Sequence, residues 1–212
     1  FAKEACFRSG RSGVWVDTRR LVPTLPAAAG GVAQHVAPAM FEQGRLWSER
    51  LQDLLDEPGW TVAQLTDWAR VWLETALRDG GSTAELAAKL PGRMVDAVPR
   101  NLMMGDGSAR FIDLEWELDE GVSLGHLCYR AMVLALVTVQ GVAQPAEGTP
   151  LQVLGLFKAV MAGLGLAVGE AELRAWHARE ANFQMVANGL AAWYAFDEFA
   201  ACHLPLGGGV AG

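Results

Sequence analysis

Leu102-Met103-Met104 and Phe111-Ile112 are short apolar runs held apart by Gly105-Asp106-Gly107-Ser108. Asp-Gly supplies the positive φ that a tight hairpin turn requires, so the stretch reads as a β-hairpin turning at 106–107. That fold sets Asn101 opposite Ile112, and cross-strand neighbours lie roughly 5 Å apart. Asn101 and Asp113 therefore meet at the open end of the hairpin. Asp96 enters the same end from a short loop stiffened by Pro99.

Converging side-chain oxygens have a chemical use. Hard divalent cations take oxygen ligands, and Mg²⁺ in phosphoryl transfer combines one or two of them with substrate phosphates. A separate carboxylate can accept the proton of an attacking hydroxyl. Asp96 and Asn101 are spaced as in D-x-x-x-x-N, with Asp113 after the next strand, which is the order of a kinase catalytic loop and its metal-binding Asp. The competing reading makes all three turn and cap residues, a common use of Asp and Asn.

Asp96-Ala-Val-Pro-Arg-Asn101 followed by Phe111-Ile-Asp-Leu-Glu-Trp116 resembles the C-lobe of the protein-kinase-like small-molecule phosphotransferases, the aminoglycoside and choline kinase group. More narrowly it is similar to kinase-like domains fused to bacterial methyltransferases or glycosyltransferases of surface-polysaccharide synthesis. The resemblance covers about residues 40–140. It implies Asp96 as catalytic base, Asn101 and Asp113 as Mg²⁺ ligands, ATP as donor, and a hydroxyl of a sugar or small metabolite as acceptor. By strand alternation Glu115 and Glu117 share the face of Asp113, and Glu115 is the further candidate metal ligand.

The chain departs from the family in three places. Met94 stands where His is frequent, the metal-binding triplet reads Asp113-Leu114-Glu115, and residues 1–45, where the nucleotide-covering loop is expected, contain no G-x-G-x-x-G. Lys3 in Phe-Ala-Lys-Glu is the candidate nucleotide-binding strand lysine, against a plain reading as a solvated edge lysine. Residues 1–45 then form a reduced N-lobe or hinge remnant, 46–203 a helical C-lobe and 204–212 a flexible tail. The chain is expected to be one part of a longer protein. The second functional reading is a non-catalytic kinase-like scaffold beside a fused transferase domain. A third is a helical interaction domain with no nucleotide chemistry.

The fold class expected is α+β, mainly α. Strands are expected over 1–7, 14–18 and 32–40, with the last ending at Pro38. Apolar periodicity predicts helices over 46–56, 61–77, 82–90, 124–139, 151–164 and 169–199. Thr61 with Gln64, and Ser82 with Glu85, have capping-box spacing. Trp68, Trp72, Leu127, Leu134 and Trp193 are expected in one core. His126 reads as a partly buried histidine with a backbone partner, and Cys128 as a core residue.

Composition narrows the function classes. The 212 residues are 51% hydrophobic and 19% charged, which is globular rather than disordered. The net charge of −7 with no basic run argues against a nucleic-acid surface. No apolar run reaches the roughly 18 residues that span a bilayer. Three scattered cysteines without C-x-x-C point to a reducing, cytoplasmic setting rather than a disulfide framework or zinc site.

Overall fold

The structure, a computed structural model, describes residues 3–11, 13–21, 28–105, 107–190 and 192–207, with only the backbone of Ala28 and Ala29. Phe1 of the first expected strand, the loop residues 22–27, the turn residue Asp106 and the tail beyond 207 lie outside the described residues.

The architecture is α+β: six helices and several small antiparallel sheets among the described residues. Among the described residues the regular elements before residue 47 are all strands, β1 (Lys3–Gly10), β2 (Gly13–Arg20), β3 (Ala28–Ala29), β4 (Val32–Gln34), β5 (Ala39–Met40) and β6 (Arg45–Leu46). Helices α1 (Trp47–Asp56) and α2 (Val62–Gly80) follow, then β7 (Lys89–Leu90) and two 3-10 turns, Gly92–Asp96 and Pro99–Asn101. The hairpin is β8 (Leu102–Gly105) and β9 (Ser108–Phe111), followed by β10 (Trp116–Leu118) and β11 (Val122–Ser123). Helices α3 (Leu124–Val137), α4 (Val153–Gly163), α5 (Glu170–Asn188) and α6 (Phe196–Ala200) complete the chain.

The hairpin register is the expected one. Leu102 pairs with Phe111 and Met104 with Ala109, and the Ile112 N–H donates to the Asn101 carbonyl at 2.7 Å. A third strand, β6, pairs with β8 through Arg45 and Met104. That approach requires Gly44 (φ 153°), because a Cβ there would overlap the Met104 carbonyl oxygen.

The expected strand over 32–40 is instead two, broken around Pro38. Each half serves a different sheet: β5 pairs with β2, while β4 pairs with β10. Through β4 the N-terminal segment is fastened to the stretch after Asp113, and the His35 N–H adds a 2.7 Å bond to the Glu115 carbonyl.

Helix α2 opens with the expected capping box, Gln64 N–H to Thr61 Oγ1 at 3.3 Å and Thr61 N–H to Gln64 Oε1 at 2.9 Å. It closes on Gly81 in the left-handed region, with the Ser82 N–H donating to the Leu77 carbonyl. Ser82 is therefore part of a helix end, and the helix expected over 82–90 does not form. The carbonyls of Leu86 and Ala88 instead accept the first N–H groups of α3, at Gly125 and Leu124. Those acceptors fill bonds that a helix start leaves open.

The core lies between α2, α3, α4 and α5. Trp68, Trp72, Leu127 and Cys128 are in it. Trp72 is fully enclosed and donates its indole N–H to the Ala97 carbonyl at 2.7 Å, tying α2 to the segment after Asp96. Trp47 and Trp68 stack with centroids 6.5 Å apart, each donating to the other's carbonyl at 3.1 Å. Helix α3 is apolar on nearly every side and buried throughout its first turns, as a central helix must be.

Leu134 and Trp193 are only half-buried and line a cavity instead of joining that core. The expected helix over 169–199 ends at Gly189, whose φ of 65° stops α5, and α6 is a separate short turn. Residues 203–207 run back along the body: Leu204 is buried and bonds to the Leu151 carbonyl, and Leu206 bridges to Val142. No helix among the described residues is long and apolar enough to cross a membrane.

Candidate functional site

Asp96 closes the first 3-10 turn and Asn101 closes the second. The first turn lies against β10 so closely that a Cβ on Gly92 would overlap the Leu118 carbonyl oxygen. The Asn101 carboxamide donates to the Asp96 carbonyl at 2.9 Å, which locks the intervening loop. That leaves the Asn101 side-chain oxygen without a partner among the described residues.

The Asp96 carboxylate is 2% exposed. Its Oδ2 accepts the Glu115 N–H at 3.1 Å, while Oδ1 accepts no hydrogen bond. The nearest cation, Arg130 Nη2, stands 3.9 Å from Oδ1. Burial pushes the Asp96 carboxyl up to about 6, against the opposing pull of Arg130 and the Glu115 N–H.

Asp113 follows the hairpin at its open end. It is the one non-glycine residue with positive φ (53°) among those described. Such a backbone conformation in a residue other than glycine is held by its surroundings and concentrates at functional sites. Lys3 Nζ donates to both Asp113 carboxylate oxygens at 3.0 Å and pairs with Glu115 Oε2 at 2.8 Å. Burial pulls the Lys3 ammonium down, but the two carboxylates outweigh it and hold its pKa above the ordinary value. Glu117, assigned to the same face by alternation, pairs with His35 at 2.8 Å instead.

Lys3, Asp113 and Glu115 line one end of a cleft of about 550 Å³. Val16 on β2 contributes to one wall, Met103 and Ile112 to another, and the segment 38–42 to a third. A cleft of this size, mostly apolar with a charged end, suits a flat organic ligand carrying an anionic group. The Asp113 and Glu115 carboxylates line the cleft and the Asn101 side-chain oxygen lies at the open end of the same hairpin; all are oxygen atoms of the kind that suits Mg²⁺ rather than a softer metal. The described residues contain no group of three or more His, Cys, Asp or Glu side chains that could hold a metal ion.

A second set of side chains escaped sequence reasoning. Glu180 on α5 is buried and accepts from Arg130 Nη1 at 2.5 Å, Gln184 Nε2 at 2.6 Å and His126 Nε2 at 3.2 Å. These donors hold its carboxyl down at about 2 although burial alone would raise it. Arg130 also donates from Nε to the Val95 carbonyl at 2.8 Å and lies 4.1 Å above the Phe183 ring. The partner of His126 is thus a buried carboxylate, not backbone. One signal was present in the sequence: Arg130 interrupts an otherwise apolar helix, and a buried charge needs a partner.

No protein-family model, curated protein or solved structure matches this chain.

Proposed function

We propose that the chain is a kinase-like phosphotransferase that moves the γ-phosphoryl group of ATP to a hydroxyl of a sugar or small metabolite. The observation that carries this reading is Asp96 Oδ1, a buried carboxylate oxygen with no hydrogen-bond donor. Such a group is costly and rare in a folded protein, and a bound hydroxyl would supply the missing donor. A carboxyl raised to about 6 is matched to taking a proton near neutral pH.

In the reaction, the acceptor oxygen bonds to the γ-phosphorus as the bond to the β–γ bridging oxygen breaks. ADP departs, and the acceptor's proton passes to Asp96. Asp113 and the Asn101 oxygen would hold Mg²⁺, which would supply positive charge against the phosphates. Lys3 sits beside the Asp113 and Glu115 carboxylates at the charged part of the cleft and provides a cation for the phosphates. Glu115 orients Lys3 through their ion pair, and its own N–H fixes Asp96 Oδ2.

One observation favours the scaffold reading. Among the described residues no helix lies between Lys3 and Gln43, so no helix glutamate engages Lys3. The lysine rests on Asp113 itself, the residue assigned to the metal. In that reading the charged cluster is structural and the domain serves a neighbouring transferase.

The test is ADP release from Mg²⁺-ATP in the presence of a panel of sugars. Acceptor-dependent release that Asp96→Asn lowers by about 10²–10⁴, the usual contribution of a general base, supports the enzyme. Release equal in wild type and Asp96→Asn, or none with any acceptor, supports the scaffold.

A further inference from the structure

A cavity of about 520 Å³ lies between the C-terminal halves of α3 and α5 and the segment 193–202. It is distinct from the cleft at Asp113 but shares a wall with Asp96, because Arg130 lines the cavity and presents Nη2 to Asp96 Oδ1. Trp116 and Phe183 form part of its wall, edge to face with centroids 6.0 Å apart. Trp193 and Tyr194 form another part, centroids 5.4 Å apart.

The polar groups on that wall are unequal. Gln184 is fully engaged, by Glu180 on one side and Asn188 on the other. The Asn188 side-chain oxygen and the Trp193 indole N–H have no hydrogen-bond partner among the described residues. One is an acceptor and the other a donor, the pair that a hydroxyl-bearing ring can satisfy at two points.

Charge narrows the ligand further. The guanidiniums of Arg100 and Arg130 line the cavity. They are balanced by Glu180 on Arg130, by the field of Asp96 on Arg100, and by Glu198 on the cavity wall. No net positive charge remains to select an anion.

We infer that this cavity is the acceptor site and takes a neutral saccharide or cyclic polyol, its apolar face against the aromatic wall and its hydroxyls on Asn188 and Trp193. The assignment as acceptor site rests on the phosphotransferase reading; the binding of a neutral sugar does not. The volume accommodates a small ligand of one or two rings. Arg130, which lines the cavity and stands 3.9 Å from Asp96 Oδ1, is then a positioning residue beside the acceptor hydroxyl.

Saturation-transfer difference NMR on the full chain tests this with D-glucose, D-galactose, D-mannose and myo-inositol, and with D-glucuronate and D-glucosamine as charged comparators. At least one neutral sugar is expected to show saturation, with the charged comparators weaker. Trp193→Ala should reduce that signal at least fivefold while leaving the heat of Mg²⁺-ATP binding unchanged. Asn188→Ala, at the end of α5, serves the same purpose if Trp193→Ala does not fold.

Absence of saturation with every neutral sugar, preference for a charged one, or an undiminished signal in both variants would overturn the proposal. Mg²⁺-ATP binding without any sugar signal removes the cavity and leaves the phosphotransferase. Trp193-dependent sugar binding with a silent nucleotide titration removes the phosphotransferase and with it the acceptor role, while the sugar site stands.

Discussion

Arg130 Nη2 stands 3.9 Å from Asp96 Oδ1, with both side chains 2% exposed, so the two charges attract without a hydrogen bond between them. Glu180 is why the gap stays open. It draws the other guanidinium nitrogen to 2.5 Å, and Val95 and Phe183 hold the rest of the group. Arg130 is thus largely neutralised before it reaches Asp96, and burial decides the state of that carboxyl.

Glu180→Gln should therefore act in two ways. Breaking a buried ion pair leaves Arg130 undercompensated, and urea unfolding should show a loss of roughly 3 kcal/mol, the low end for such pairs because Asp96 remains nearby. The freed field of Arg130 should also pull the Asp96 carboxyl below its value of about 6. Carbon-13 NMR titration of the aspartate carboxyls measures this; an unmoved Asp96 would show that Glu180 does not govern it.

Asp96 and Glu180 should leave opposite marks on stability against pH. Asp96 has its carboxyl raised from 3.8 to about 6, so the folded state binds the proton more tightly and stability falls as pH rises through that window. Glu180 is lowered from 4.5 to about 2, so its contribution is complete above 4.5 and disappears as pH falls toward 2. Urea unfolding across pH 2–7 should show a maximum that Asp96→Asn flattens on its alkaline side. If the enzyme reading holds, kcat/KM should rise with pH through about 6 as Asp96 ionises.

The parts of this site that sequence made legible are local. The Asp-Gly dipeptide between two short apolar runs marks the hairpin register, which places Asn101 and Asp113 at its open end. The capping box at Thr61 marks the start of α2 for the same reason: four consecutive residues carry the whole signal. Ser82 and Glu85 had the same spacing and no helix, because the chain at 86–88 caps α3, a partner 36 or more residues later that no local pattern reveals. The Lys3–Asp113 pair spans 110 positions and Arg130–Glu180 spans 50, so only the assembled fold shows them.

Trp72 gives a check on the core. It is fully enclosed and holds the Ala97 carbonyl just past Asp96. Trp72→Ala should cost about 3–5 kcal/mol in denaturant unfolding. Leu134→Ala, at a half-buried position on the cavity wall, should cost clearly less. Equal losses for the two would contradict the placing of Leu134 outside the core.

The central claim is that the cleft lined at one end by Lys3 and Asp113 holds a nucleotide through Mg²⁺. Calorimetric titration of Mg²⁺-ATP into the wild-type chain, Asp113→Ala and Asp96→Asn tests it most directly. The account predicts a saturable heat for the wild type, a Kd close to wild type for Asp96→Asn, and a Kd at least tenfold weaker for Asp113→Ala, because removing the metal ligand leaves the phosphate charge uncompensated. A silent wild-type titration, or an unchanged Kd in Asp113→Ala, would contradict it.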